Sequence, residues 1–416
     1  MSQCGSRTKR STRRCTPSSS LLDRSCVCEC DDLYVAVDIV ARTRGRVAFG
    51  TRCIPDSTLG EQVALGAVLD GPLVPTASST SQGAQTVAFL AAVFKQVPVV
   101  AASGADCADF HMAYGLSVGF DIRFQVLTLP GRPYAEYRTQ VLRLEELGFD
   151  IAAVPDHFCD WANPPAAWLE CWTLLAALAA ETSTIRLASN VAQIPLRNPG
   201  VLAHQAITVD HVSGGRLELG IGTGLTIDPG TEMIGLPNWS NPERAARFGE
   251  YIELVGLLLS QEVTTFDGRY YQATNAVMNP SSLQSPRVPV VAAALGPKMM
   301  SHAARWADTW NTMSFDSDFA AQIDELGTRA QRMNELCASI DRNPESLRRS
   351  ANLFDAQARA QGGRLRYYDD EALFEHLVRS LVAAGFTDIG LYYPSDPDQI
   401  PAFEHLATNV IPELRN

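Results

Sequence analysis

TSTIRLASNVAQIPLRNPGVLAHQAITVDHVSGGRLELGIGTG, residues Thr182 to Gly224, decides the fold of this chain. Ile185 to Val191 carries apolar Ile185, Leu187, Ala188 and Val191 and reads as a strand. Asn198-Pro199 ends that strand and opens a helix, with apolar positions at Val201, Leu202, Ile207, Val209 and Val212. Ser213-Gly214-Gly215 closes the helix, and RLELGIG reads as a second strand. Strand, helix, strand is a βαβ unit with parallel strands, which need such a crossover. The second strand runs into G-x-G-T-G, with Gly220, Gly222 and Gly224 at alternate positions. Glycines there let the backbone approach something closely. In parallel sheets ligands gather at the carboxyl ends of strands, so a bound cofactor or phosphate is the first expectation for this loop. A plain tight turn would carry the same glycines.

The surroundings extend the unit. From Asp121 onward, strand patterns begin near residues 122, 151, 185, 216, 289, 309, 349 and 387. A helical pattern follows each, and one hairpin is expected around Asp267-Gly268. Helices are expected at Pro165–Thr182, at Pro242–Leu259 with Asn241 as N-cap, and at Pro397–Leu414. This repetition predicts a (β/α)8 TIM barrel with insertions over 121–416. A doubly wound open sheet is the competitor. It would place the glycine fingerprint after its first strand, where this chain has Leu129-Pro130-Gly131.

Residues 1–120 have a different character. They start basic, pass through Pro17-Ser18-Ser19-Ser20, and show no repeating period. They read as an extension of low order; an interaction or anchoring segment is the alternative. No apolar stretch suits a secretory signal, and the run from Val87 to Ala102 is interrupted by Lys95, Gln96 and Pro98, so no membrane span is expected. Seven of the ten cysteines lie in this segment, but Cys26-x-Cys28-x-Cys30 lacks zinc spacing and a neighbouring histidine. The rest of the chain reads as reduced and cytoplasmic.

Composition narrows the function. A 46% apolar fraction supplies a sizeable core. A net charge of −12 argues against nucleic acid as partner. Only Lys9, Lys95 and Lys298 are lysine among the basic residues, which reads as coding bias and makes Lys298 conspicuous. Its setting, Gly296-Pro297-Lys298, is a strand-to-helix junction, where exposed amides favour an anion. Other strand ends deliver Asp156 and His157, then Asn190, Val191 and Gln193, then Thr223 and Gly224, then Leu295. Histidine is the side chain suited to proton transfer near neutral pH, so His157 is the candidate proton carrier. Trp161 could wall an aromatic ligand or pack beneath its loop. From Asp121 onward no metal-ligand spacing and no G-x-S-x-G elbow occur, so metal hydrolysis and acyl transfer are poorly supported there. An apolar pocket with an anion site suits a cofactor bearing a flat ring and phosphates.

Residues 121–416 resemble the bacterial luciferase-like monooxygenase superfamily. The resembling pieces are LEELGFDIAAVPDH, TIRLASNV, PLRNPGVLAHQAITVDHVSGGRLELGIGTG, FDGRYY and PVVAAALGPKMMSHAARWADTW. DHFCDW and GIGTG are similar to the branch that uses the deazaflavin coenzyme F420, its glucose-6-phosphate dehydrogenases in particular. The resemblance implies His157 as the catalytic proton-handling residue and Asp156 near the deazaflavin ring. It implies a non-proline cis peptide at Asn190-Val191 behind that ring. Gln193, Thr223, Gly224 and Asp228 would line the cofactor, and Leu295, Gly296, Lys298 and Met299 would hold its phosphate. Trp161 and Leu225 would face the substrate. The sugar-phosphate dehydrogenases carry a glutamate directly after G-x-G-T-G, where this chain has Leu225. That departure argues against glucose 6-phosphate and favours a less polar alcohol, ketone or enone. An FMN-dependent monooxygenase of the same fold, and a barrel that binds cofactor without turnover, are the alternatives. A homodimer is the oligomer to test for.

Overall fold

In a computed structural model the chain divides into two compact units, Met1–Ser117 and Val118–Asn416. The structure describes residues 120–415 except 362 and, by backbone alone, residues 26–30, 33–43, 46–54 and 66–69. In the first unit these four segments are strands β1 (Cys26–Cys30), β2 (Leu33–Thr43), β3 (Arg46–Ile54) and β4 (Gly66–Leu69). They form an antiparallel sheet in the order β1-β2-β3-β4. The sequences of these strands lack a clean apolar alternation. Cys26, Cys28 and Cys30 lie along β1. The basic start and the run from Val87 to Ala102 lie outside the described residues.

The second unit is the eightfold barrel. Its strands are β5 (Arg123–Leu127), β6 (Ile151–Val154), β7 (Arg186–Ser189), β9 (Leu217–Gly222), β12 (Val290–Ala293), β13 (Thr309–Met313), β14 (Arg348–Asn352) and β15 (Asp388–Tyr392). They pair in chain order, all parallel, and β12 pairing with β9 and β15 with β5 closes the ring. A two-residue strand β8 (Ala192–Gln193) adds to the end of β9, and β10 (Val263–Asp267) with β11 (Gln272–Val277) is the expected hairpin.

The period-two alternation of the strands decides what faces where. Ala152, Val154, Leu187, Leu219 and Ile221 pack outward into the layer shared with the helices. Ile151, Ala153, Ala188 and Leu127 form a separate inner cluster. Glu218, Gly220 and Gly222 take the inward positions of β9. Charge closes the amino-terminal end. Arg123 donates to Glu218 at 2.6 Å and to Asp388 at 2.7 Å. Arg186 reaches the same Glu218, and Arg348 the same Asp388. With that end filled, a ligand site is left to the carboxyl end, where the βα loops gather.

The helices that follow these strands are α1 (Tyr134–Glu146), α2 (Cys171–Glu181), α3 (Pro199–Ser213), α4 (Pro229–Met233), α5 (Asn241–Ser260), α6 (Pro297–Trp306), α7 (Phe319–Ala338), α8 (Glu371–Ala383), α9 (Ile400–His405) and α10 (Ile411–Leu414). Local chemistry sets their ends. Asn198 caps α3 by accepting from the Gly200 amide, with Pro199 in the first turn, and Gly214 ends it at φ 68°. Three expectations are corrected. The helix foreseen at Pro165–Thr182 starts only at Cys171, where the Glu170 carboxylate accepts the Trp172 and Thr173 amides. Ser240, not Asn241, is the N-cap residue of α5. The last helix breaks into α9, a π-turn at Leu406–Val410 and α10, with Pro412 inside the span. Among the described residues no helix is long and apolar enough to cross a membrane.

Candidate active site

The carboxyl ends of β6, β7 with β8, β9 and β12 bring the expected residues to one mouth. The peptide between Asn190 and Val191 is cis. It turns the chain from β7 into β8 and lays the Val191 side chain across β9. A Cβ on Gly220 would meet the Ser189 carbonyl at 2.0 Å, and one on Gly222 would meet Val191 Cγ2 at 2.5 Å. The close approach that these glycines permit is therefore made by the neighbouring strand and by Val191. Gly224, at φ 72°, is the turn residue of the loop.

His157 follows β6 and is held from three sides. Its Nδ1 lies 2.6 Å from Asp228 Oδ2. Trp168 Nε1 donates to the His157 carbonyl at 3.0 Å, and the two rings meet edge to face with centroids 6.1 Å apart. Gln193, delivered by β8, donates through Nε2 to the Asp156 carbonyl at 2.8 Å and to Asp228 Oδ2 at 3.2 Å. Burial would raise the Asp228 carboxyl, but hydrogen bonds from His157, the Gly230 amide and Gln193 outweigh it and hold the group below the usual aspartate range.

Two expected cofactor contacts find other partners. Asp156, expected at the ring, is 2% exposed, and Arg197 binds both its carboxylate oxygens. Burial pushes that carboxyl upward while Arg197 pulls against it. Asp228, expected to line the cofactor, spends Oδ2 on His157 and Oδ1 on the Gly230 amide, capping α4. Two residues that shape the site escaped the sequence reading. Arg197 had only its place after a strand end as a signal. Arg244, buried within α5, donates to the Thr223 carbonyl at 2.7 Å, to the Trp239 carbonyl and to Asn238, and so pins the Gly222–Gly224 loop. Nothing local distinguishes Arg244 from Arg247, the other arginine of the same helix.

The remaining positions are open. Thr223, Gly224, Gly296 and Met299 are half-buried, and Leu295 and Lys298 are exposed. Gly296 precedes α6 with no side-chain cap, so the first amides of that helix have no protein acceptor from a cap. The mouth is rimmed by exposed apolar side chains from the loops after β6, β9, β12 and β13: Phe158, Leu225, Ile227, Met233, Leu295 and Phe315. Trp161 is half-buried in the first of these loops.

A model of the luciferase-like monooxygenase family matches residues 113–383. The chain is similar to the F420-dependent glucose-6-phosphate dehydrogenase of Intrasporangium calvum, 26% identical over 66% of this chain and 93% of that protein. It is also similar to the enzyme of that name from Beutenbergia cavernae, 28% identical over 65% and 90%. Among solved structures, an F420-dependent secondary alcohol dehydrogenase in complex with an F420–acetone adduct shares the fold, with a TM-score of 0.61 at 18% identity over 71% of this chain and 100% of that one. The family match, the closed parallel barrel and the loop glycines agree, and the chain belongs to the luciferase-like monooxygenase family.

Proposed function

We propose that the protein is a coenzyme F420-dependent oxidoreductase acting on a small, weakly polar alcohol, ketone or enone. The observation that carries the substrate class is the composition of the mouth. His157 is the candidate proton carrier there, Leu225 stands where the resemblance would put a second acid/base residue, and the rim carries exposed apolar side chains.

The residues present suit the coenzyme. Gln193 Oε1 is buried without a hydrogen-bond partner, beside Gly224, where a Cβ would come within 2.4 Å of it. An unpaired buried acceptor beside an open loop suits a ligand donor. Thr223 and Gly224 would flank the middle of the coenzyme, with Val191 behind its ring. Leu295, Gly296, Lys298 and Met299 would take its phosphate, through free helix amides and one cation. When bound, F420 supplies the hydride acceptor or donor. The protein orients the ring against the substrate, excludes water through its apolar rim, and gives or takes the proton at His157.

The test is a coupled panel with the purified protein. Reduced F420 is offered with ketones and enones, oxidised F420 with secondary alcohols and with glucose 6-phosphate, and FMN replaces F420 in a parallel series. Turnover of the apolar panel and none of the sugar phosphate is expected. His157→Gln should lower turnover by about 10²–10⁴-fold with F420 affinity kept. Sugar-phosphate oxidation, tighter binding of FMN than of F420, or an unimpaired His157→Gln variant would refute the assignment.

A further inference from the structure

We infer that Asp228 is a positioning residue. It locks His157 as the Nδ1–H tautomer and so makes Nε2 the atom that exchanges the proton; this rests on the proton role proposed for His157. The geometry allows one assignment. Gln193 Nε2 has two hydrogens, and the Asp156 carbonyl at 2.8 Å and Asp228 Oδ2 at 3.2 Å accept them. Turning the Gln193 amide over would set its oxygen against those two acceptors. Gln193 therefore has no hydrogen left for His157 Nδ1, 2.9 Å away. Asp228 Oδ2 lies 2.6 Å from Nδ1 and, as a carboxylate, can only accept. A bare nitrogen facing a carboxylate at that distance would be repelled, so Nδ1 carries the hydrogen.

The carboxylate is itself immobile. Oδ1 accepts the Gly230 amide at 2.8 Å, which ties the group to the first turn of α4, and Pro229 stiffens that turn. A Cβ on Gly230 would fall 2.9 Å from Phe158 Cβ, so the short helix is packed against the residue following His157. Among the described residues, His157 Nε2 has no protein partner. The ring is thus gripped at Nδ1, and its side chain keeps 18% of its surface exposed.

The experiment begins without coenzyme or substrate. The protein is labelled with ¹⁵N-histidine, and the His157 signals are assigned among the seven histidines by difference from His157→Gln. The expected wild-type spectrum shows a protonated Nδ1 and an unprotonated Nε2 at alkaline pH. Asp228→Asn keeps a competent N-cap for α4 but removes the charge. It should mix the two tautomers and lower kcat by on the order of 10²-fold, with KM and F420 affinity within a few-fold of wild type. Asp228→Glu, which restores a carboxylate, should recover part of both. A wild-type Nε2–H tautomer, or an Asp228→Asn variant with unchanged tautomer and kcat, would overturn the inference. Failure of the underlying functional reading shows elsewhere, as full turnover in His157→Gln, and leaves the tautomer spectra as they are.

Discussion

Gly222→Ala probes the contact on which the mouth is built. The added methyl would lie 2.5 Å from Val191 Cγ2 and 3.6 Å from Ala293 Cβ. The first distance is far inside contact, and the atom that must yield belongs to Val191, a short β-branched side chain with few rotamers to escape into. Overpacking of this kind costs about 1–3 kcal/mol. The entropy that alanine removes from the unfolded chain returns about 0.4–1 kcal/mol. The net loss is about 1–2 kcal/mol, or on the order of 2–4 °C in Tm for a unit of this size. The cause is specific, so it can be relieved. Val191→Ala removes the clashing methyl, and the double variant should be more stable than the sum of the single changes by about 1 kcal/mol. Thermal unfolding of the four proteins of this cycle measures that coupling. F420 titration adds a second reading: Gly222→Ala should weaken binding by displacing Val191, and the double variant should regain stability without regaining affinity. Additive Tm changes, or a Gly222→Ala protein as stable as wild type, would refute the packing account of these glycines.

The remaining predictions concern the two ends of the barrel. At the amino-terminal end Glu218→Gln should cost about 3 kcal/mol, the low end for breaking a buried pair, because Asp388 still holds Arg123. Burial favours protonation of Glu218, but Arg123 and Arg186 outweigh it and lower its pKa. A lowered acid stabilises the fold above its unfolded value, about 4.3, and that contribution is lost as pH falls through the folded value. The Tm gap between wild type and Glu218→Gln should therefore narrow between pH 7 and pH 3.5; a gap independent of pH would contradict the charge account. At the mouth, Lys298→Ala should weaken F420 binding by about 5- to 10-fold at low ionic strength, as for one charge at a helix start. Because Lys298 is exposed, the deficit should shrink with added salt. An affinity unchanged at low salt would move the phosphate away from α6.

How much of this was legible in the residues can be followed element by element. The eight strand-then-helix units were, because parallel strands buried on both faces read as short apolar runs and capped helices announce their ends. Asn198-Pro199 and Gly214 did so for α3, and Gly296-Pro297 for α6. The start of α2 was not, because Glu170 as a cap resembles any surface glutamate and the Pro165–Leu169 stretch carries apolar residues without a helix. The sheet β1–β4 was not, because its strands show no repeating polar alternation.

The candidate site divides in the same way. The sequence by itself determined which residues would meet at one end of a barrel, since strand order and strand ends dictate it: His157, Gln193, Thr223, Gly224 and Leu295. It also placed Leu225 directly after G-x-G-T-G, and the exposed apolar rim of Phe158, Ile227, Met233 and Phe315 emerged only in the structure. Only the tertiary structure decided what each polar group does. Asp156 turns to Arg197, Asp228 to His157, Arg244 to the Thr223 carbonyl, and Gly220 and Gly222 to Ser189 and Val191. The partners are separated by 21 to 71 residues wherever a hydrogen bond links them. A carboxylate's partner depends on which donor lies within about 3 Å of it, and that is set by how strands and loops pack rather than by any local pattern.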